Sequence, residues 1–159
     1  MATEKLKFNL ELYATWWDKK PTCEILINDK VKWSNEIDGS QDKPTTISFE
    51  HEVNEGDKVN LILNRQNKTL DQTVVVNEQI EKDQLLHIKS IEIDEINIGG
   101  LIYQGLYKPQ YPEPWATTQK NSGNNLPETL KSATVLGHNG TWTFTFESPF
   151  YMWLLENLY

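Results

Sequence analysis

The stretch Leu6-Lys7-Phe8-Asn9-Leu10-Glu11-Leu12-Tyr13-Ala14 decides the fold. Leu6, Phe8, Leu10, Leu12 and Ala14 alternate with Lys7, Asn9, Glu11 and Tyr13, the period-2 pattern of a strand that buries one face. Cys23, Ile25 and Ile27 repeat the pattern, and Asn28-Asp29 turns the chain back into Val31 and Trp33 as a hairpin. Ile47, Phe49, His51 and Val53 form a third alternating set, which Glu55-Gly56-Asp57 connects to Val59, Leu61 and Leu63. Short β-prone runs follow at 74–76, 85–88 and 91–98. Residues 134–136 and 141–146 make a last hairpin around 137–140, which contains an Asn-Gly turn signal. Residues 34–46 and 116–132 read as polar loops, and 149–159 as a final strand or short helix. No sustained 3.6-residue period and no long repeat is present. The prediction is one domain over 1–159, all-β, an antiparallel β-sandwich of jelly-roll form.

Composition narrows the function. The chain has 159 residues, 38% hydrophobic and 11% aromatic with six Trp, too rich in large side chains for a disordered chain. Its 15 Lys+Arg against 23 Asp+Glu give a net charge of −8, and Arg65 is its one arginine. Nucleic acid is therefore not the expected partner, because no basic patch is available to release counterions. A single cysteine, Cys23, excludes an intrachain disulfide and any multi-cysteine zinc site. The opening residues lack the apolar run of a secretory signal, and no window approaches the roughly 18 apolar residues of a membrane span. The expectation is a protein without membrane insertion, cytoplasmic at synthesis, whose Asn67-Lys68-Thr69 and Asn139-Gly140-Thr141 sequons are turns rather than glycan carriers.

Signatures of catalysis are missing: no Gly-x-Ser-x-Gly elbow, no phosphate-cradling loop, no His-Glu-x-x-His helix. His51-Glu52 comes nearest, but i and i+4 residues of a strand stand about 13 Å apart. Cys23 and His51 share inward parity, so a nucleophile pair is conceivable beside the plainer reading of Cys23 as a small buried hydrophobe. No two of the acidic residues stand out as a glycosidase pair. For a metal, Asn64, Asn67 and Asp71 on one loop and Asp83 on the next connection offer four oxygen side chains of the kind calcium takes.

The aromatic residues are the most unusual feature. Tyr103, Tyr107, Tyr111 and Trp115 recur every four residues, yet Pro109, Pro112 and Pro114 forbid a continuous helix. The expectation for 103–115 is an extended, polyproline-like strap whose rings stack on sugars, anchor a protein interface or cover the sandwich. In Trp16-Trp17, strand parity buries Trp16 and leaves Trp17 outward as a contact residue. Phe150, Tyr151, Trp153 and Tyr159 exceed the needs of one small core, which adds self-assembly to the list.

Two families are similar to these segments. The opening at 6–14, the hairpin Ile25-Leu26-Ile27-Asn28-Asp29 and the strand Gly56-Asp57-Lys58-Val59-Asn60-Leu61 resemble calcium-dependent, xylan-binding-type carbohydrate-binding modules. The stretch Asp71-Gln72-Thr73-Val74-Val75, the isoleucine-rich 88–98 and the Tyr-Pro-Trp strap look like β-sandwich proteins of T4-like phages, including those of marine cyanobacteria. The resemblance implies a jelly-roll sandwich, with calcium holding sugar hydroxyls in some members. In those modules an Asn-Asp pair opens the site; the corresponding stretch here is 64–71, and no Asp follows Asn64 directly.

The sequence thus predicts a non-catalytic binding or assembly protein of phage type, a virion or accessory component. Trp17, Tyr103, Tyr107, Tyr111 and Trp115 are its expected contacts with protein or glycan. The alternative is a calcium-dependent carbohydrate-binding module with Asn64, Asn67, Asp71 and Asp83 as ligands.

Overall fold

The alternation at the N-terminus becomes one long strand, β1 (Thr3–Thr15), in which Leu6, Phe8, Leu10 and Leu12 are buried. The computed structural model of the chain describes residues 2–158. β2 (Thr22–Ile27) and β3 (Lys30–Glu36) form the expected hairpin, with Asn28 in the left-handed region at φ 55°. β4 (Thr45–Asn54) and β5 (Lys58–Gln66) follow, joined at Gly56 with φ 93°. β6 (Val74–Val76) and β7 (Gln79–Lys82) pair only with each other, as an exposed hairpin apart from both sheets. The remaining elements are β8 (Leu85–Ile93), β9 (Ile96–Asn97), β10 (Leu106–Pro109), α1 (Trp115–Asn121), β11 (Leu130–Lys131), β12 (Val135–Leu136), β13 (Gly140–Glu147) and α2 (Phe150–Leu158).

Two antiparallel sheets carry the core. One runs β12-β8-β1-β4 with β9 on β8, the other β11-β10-β13-β5-β2-β3. The architecture is the antiparallel β-sandwich the alternation predicts, with the short C-terminal helix. A bulge in the β1·β8 ladder pairs Glu11 with Ser90 but Leu12 with Ile88, leaving Lys89 out of register. That one extra residue lets Leu86 and Ile88 on one side, and Ile91 and Ile93 on the other, all face the core despite their odd spacing. Trp142, Phe144 and Phe146 fill the opposite wall, and α2 lays Phe150 and Leu154 onto it. The Glu4 carboxylate accepts hydrogen bonds from the Ser148 hydroxyl at 2.6 Å and the Phe150 amide at 3.1 Å, which fixes the start of α2 against β1.

Four expectations are corrected. The segment 137–140 is not a hairpin tip: β12 pairs with β8 in one sheet while β13 lies in the other, so this loop carries the chain across the sandwich. Residues 115–121 are a helix rather than loop, since no proline follows Pro114 there to break it. The strap is not continuously extended; a 3-10 helix over Gly99–Gln104, strand β10 and a turn divide it. Finally, β1 ends at Thr15, so strand parity no longer applies to Trp16 and Trp17, and both are 40% exposed. Tyr159 lies outside the described residues.

Leu61 is fully buried, whereas Phe49, on edge strand β4, is only half-buried and stacks on Phe8 at 5.1 Å. Leu61→Ala is expected to cost about 2–5 kcal/mol. Phe49→Ala should cost clearly less, because water already reaches the site. Urea midpoints of the two variants check the order, and equal losses would contradict it.

Candidate binding cleft

The loops at one end of the sandwich enclose a cleft of about 350 Å³, in the size range of small-ligand sites. Thr69 and Leu70, beside and within a 3-10 turn at Leu70–Gln72, form one wall with Val75 and Ile80 of the β6–β7 hairpin. Pro112 and Trp115, at the entry to α1, form the facing wall. Lys68, Asp83 and the crossing loop at Gly137, His138 and Asn139 supply the polar part of the lining.

Three rings support one another on the aromatic side. Trp115 lies 5.3 Å from His138 and 6.1 Å from Tyr111, and Tyr111 meets His138 edge-on at 5.1 Å. The Tyr111 hydroxyl donates to the Pro127 carbonyl at 2.6 Å, tying this cluster to the chain beyond α1. Behind it, Tyr107 is buried in the core; its hydroxyl donates to the His138 carbonyl and accepts from the His138 amide at 2.9 Å. Burial pushes the Tyr107 phenol up to about 12. Burial also lowers the His138 pKa, and Lys68 and Arg65 lower it further, so the imidazole is neutral at pH 7.

The polar floor is fixed by a network with few free ends. Lys68 Nζ donates to Asp83 Oδ1 at 2.8 Å and to the Gly137 carbonyl at 2.5 Å. Asn139 binds the backbone of Lys68 in both directions, accepting from its amide at 2.9 Å and donating to its carbonyl at 3.0 Å. Asp83 Oδ1 also accepts from Thr73 Oγ1 at 2.6 Å and the Gln84 amide at 2.8 Å. Burial alone would raise the Asp83 carboxyl, but these bonds hold it below its ordinary value. Under Asn139 lies Arg65, with no exposed surface. It donates to the Leu136 carbonyl, Asn139 Oδ1 and the Gln84 carbonyl at 3.2, 3.0 and 2.7 Å.

Of the expected contact residues, Trp115 lines the cleft and Tyr111 backs it. Tyr107 is corrected from contact to core: on β10 its inward position is clamped by the His138 backbone. Tyr103 lies on the 3-10 helix, 55% exposed and away from the lining. Trp17 belongs to a neighbouring loop cluster, donating from Nε1 to the Gln72 carbonyl at 2.8 Å beneath the Lys82 ammonium.

The four expected calcium ligands are not gathered as a donor set. Asp83 lines the cleft, but its Oδ1 holds the Lys68 ammonium where a cation would sit. Asn64 Oδ1 accepts from Gln66, Asp71 Oδ1 from Thr69, and Asn67 turns its amide to the Lys20 carbonyl. Among the described residues no group of three or more His, Cys, Asp and Glu is placed to hold a metal. These residues as arranged do not fit a calcium cage. Nor do Cys23 and His51 form a nucleophile: they lie on β2 and β4, in different sheets, and burial pushes the thiol up to about 12.

Sequence reasoning missed Lys68, His138 and Asn139, which come together only through the crossing loop. Arg65 left a signal: it continues the inward parity of Val59, Leu61 and Leu63, an anomalous charge on a core face.

No protein-family model and no curated protein matches the chain. Among solved structures it is similar to the selenomethionine form of vCBM60, described in a study of two circularly permuted families of calcium-dependent carbohydrate-binding modules. The TM-score is 0.51 at 6% identity, over 87% of this chain and 89% of that one. vCBM60 in complex with galactobiose gives a TM-score of 0.48 at 7% identity, over 87% and 96% of the two chains. The likeness establishes a shared fold. This chain shares the β-sandwich fold of vCBM60.

Proposed function

We propose that the chain is a carbohydrate-binding module that holds a saccharide in the cleft and performs no chemistry on it. One observation carries the reading: the cleft pairs an aromatic wall at Trp115 with polar groups whose directions the network at Lys68, Asp83 and Asn139 has already set. A pyranose ring has an apolar face and a hydroxylated rim, which suits such a pairing. The fold shared with vCBM60 adds support. A glycosidase needs two carboxylates across the bond to be cut, and Asp83 is the one carboxylate among the residues lining the cleft.

Trp115→Ala is expected to weaken binding of a responding oligosaccharide by about tenfold or more, read by titration calorimetry. Binding is also expected to persist in chelator, because Lys68 already supplies the cation at Asp83. Unchanged affinity on removing the indole would place the sugar elsewhere. Loss in chelator, restored by calcium, would mean that a metal displaces Lys68 from Asp83.

A further inference from the structure

The charge of the cleft runs against that of the protein. The chain carries −8 overall, yet the charged side chains lining the cleft are Lys68 and Asp83, which cancel. Arg65, one side chain below, adds a positive charge with no exposed surface and no salt bridge among the described residues. Its donors go to two backbone carbonyls and the neutral Asn139 amide. Although burial pulls the guanidinium down to about 10, it remains charged at neutral pH. Asp83 acts on both Arg65 and Lys68, so the floor sets two cations against one carboxylate and keeps one positive charge in excess. Lys68 has a second unmet capacity: its ammonium carries three donors, and Asp83 and Gly137 take two.

Resting on the saccharide-binding reading, we infer that the cleft selects an acidic saccharide. The anionic substituent accepts the remaining Lys68 N–H above the Arg65 charge while the ring lies against Trp115. A uronate carboxylate and a sulfate ester share this chemistry. Both bring a second negative charge to set beside Asp83 against Lys68 and Arg65, whereas a neutral hexose leaves one positive charge in excess.

The test compares trisaccharides of galacturonate and mannuronate with galactotriose, mannotriose and a 6-sulfated galactotriose, at about 20 mM and about 300 mM salt. The acidic ligands should bind at least about tenfold more tightly than the neutral ones at low salt, with the gap narrowing at high salt. Whichever anion gives the larger ratio identifies the substituent. Lys68→Met should abolish the preference. Asp83→Asn, which removes the competing negative charge and keeps an amide for hydrogen bonding, should widen it; this second variant guards against a fold defect in the first. Equal affinity for acidic and neutral trisaccharides would overturn the inference and leave the saccharide-binding reading standing. A preference that survives Lys68→Met, or that Asp83→Asn fails to widen in a folded variant, would also overturn it. Binding of none of the five would sink both.

Discussion

Gly105→Ala is expected to destabilise the protein by about 3 kcal/mol or more, the upper end of what overpacking costs. A Cβ at this position would stand 2.3 Å from Cε2 and Cζ2 of Trp142 and 2.4 Å from its Nε1. The neighbour cannot yield as a surface lysine would. Trp142 is fully buried on β13, stacked on Phe144 at 6.3 Å, and its Nε1 has no hydrogen-bond partner. It already gives up a hydrogen bond to lie beneath Gly105, so packing alone holds it there. A double-mutant cycle isolates the contact. Trp142→Val removes every ring atom that Ala would strike, so the double variant should recover at least about 1 kcal/mol relative to the sum of the single losses. Additive losses in urea unfolding would mean that the close approach is not the cause.

Arg65→Met should cost about 3 kcal/mol, a fall in Tm of about 10 °C for a chain of this size. Two effects oppose each other here. Removing the guanidinium relieves the cost of burying a charge, but it strands the Leu136 and Gln84 carbonyls, each worth about 1–3 kcal/mol when left unpaired. Asn139 Oδ1 loses one donor and keeps the Lys68 amide. Stranding wins because two acceptors are lost at once in a site closed to water. Arg65→Lys separates charge from geometry. A single ammonium cannot reach three acceptors arranged for a planar fork, so Lys should not restore stability. Near-native melting of Arg65→Lys would show that charge alone suffices. On the saccharide-binding proposal, ligand affinity should fall in both variants as well, since the same bonds seat residues 136–139 at the cleft floor.

Both predictions concern residues whose importance lies in distant partners. The alternation from Leu6 to Leu12 and from Val59 to Leu63 is legible because strand periodicity is local, and so is the Asn28-Asp29 turn, whose left-handed backbone suits Asn. The Asn139-Gly140 signal misleads for a local reason as well: it reports a change of chain direction without naming the strand on the other side. Here Asn139 is spent on Lys68 and Arg65, and β12 and β13 join different sheets.

Of the aromatic strap, Trp115 lines the cleft as one of the expected contact residues, whereas the four-residue spacing that singled it out has no structural counterpart. Tyr107 faces the core from β10, while Tyr103 sits on a 3-10 helix and Trp115 begins α1. The cleft is assembled by residues within 68–73, 75–83, 112–115 and 137–139, segments with no common period.

The alternating pattern sufficed for β1 to β5, for β8 and β13, and for the sandwich class, because burial of alternate side chains is a property of each segment alone. It took the assembled fold to bring Lys68 rather than a metal to Asp83, to bury Arg65 on two carbonyls and an amide with no carboxylate hydrogen-bonded to it, and to turn Trp115 to a cleft. Those outcomes depend on which loops the two sheets bring to the same end, and a charge in a core is tolerated only where distant carbonyls converge on it.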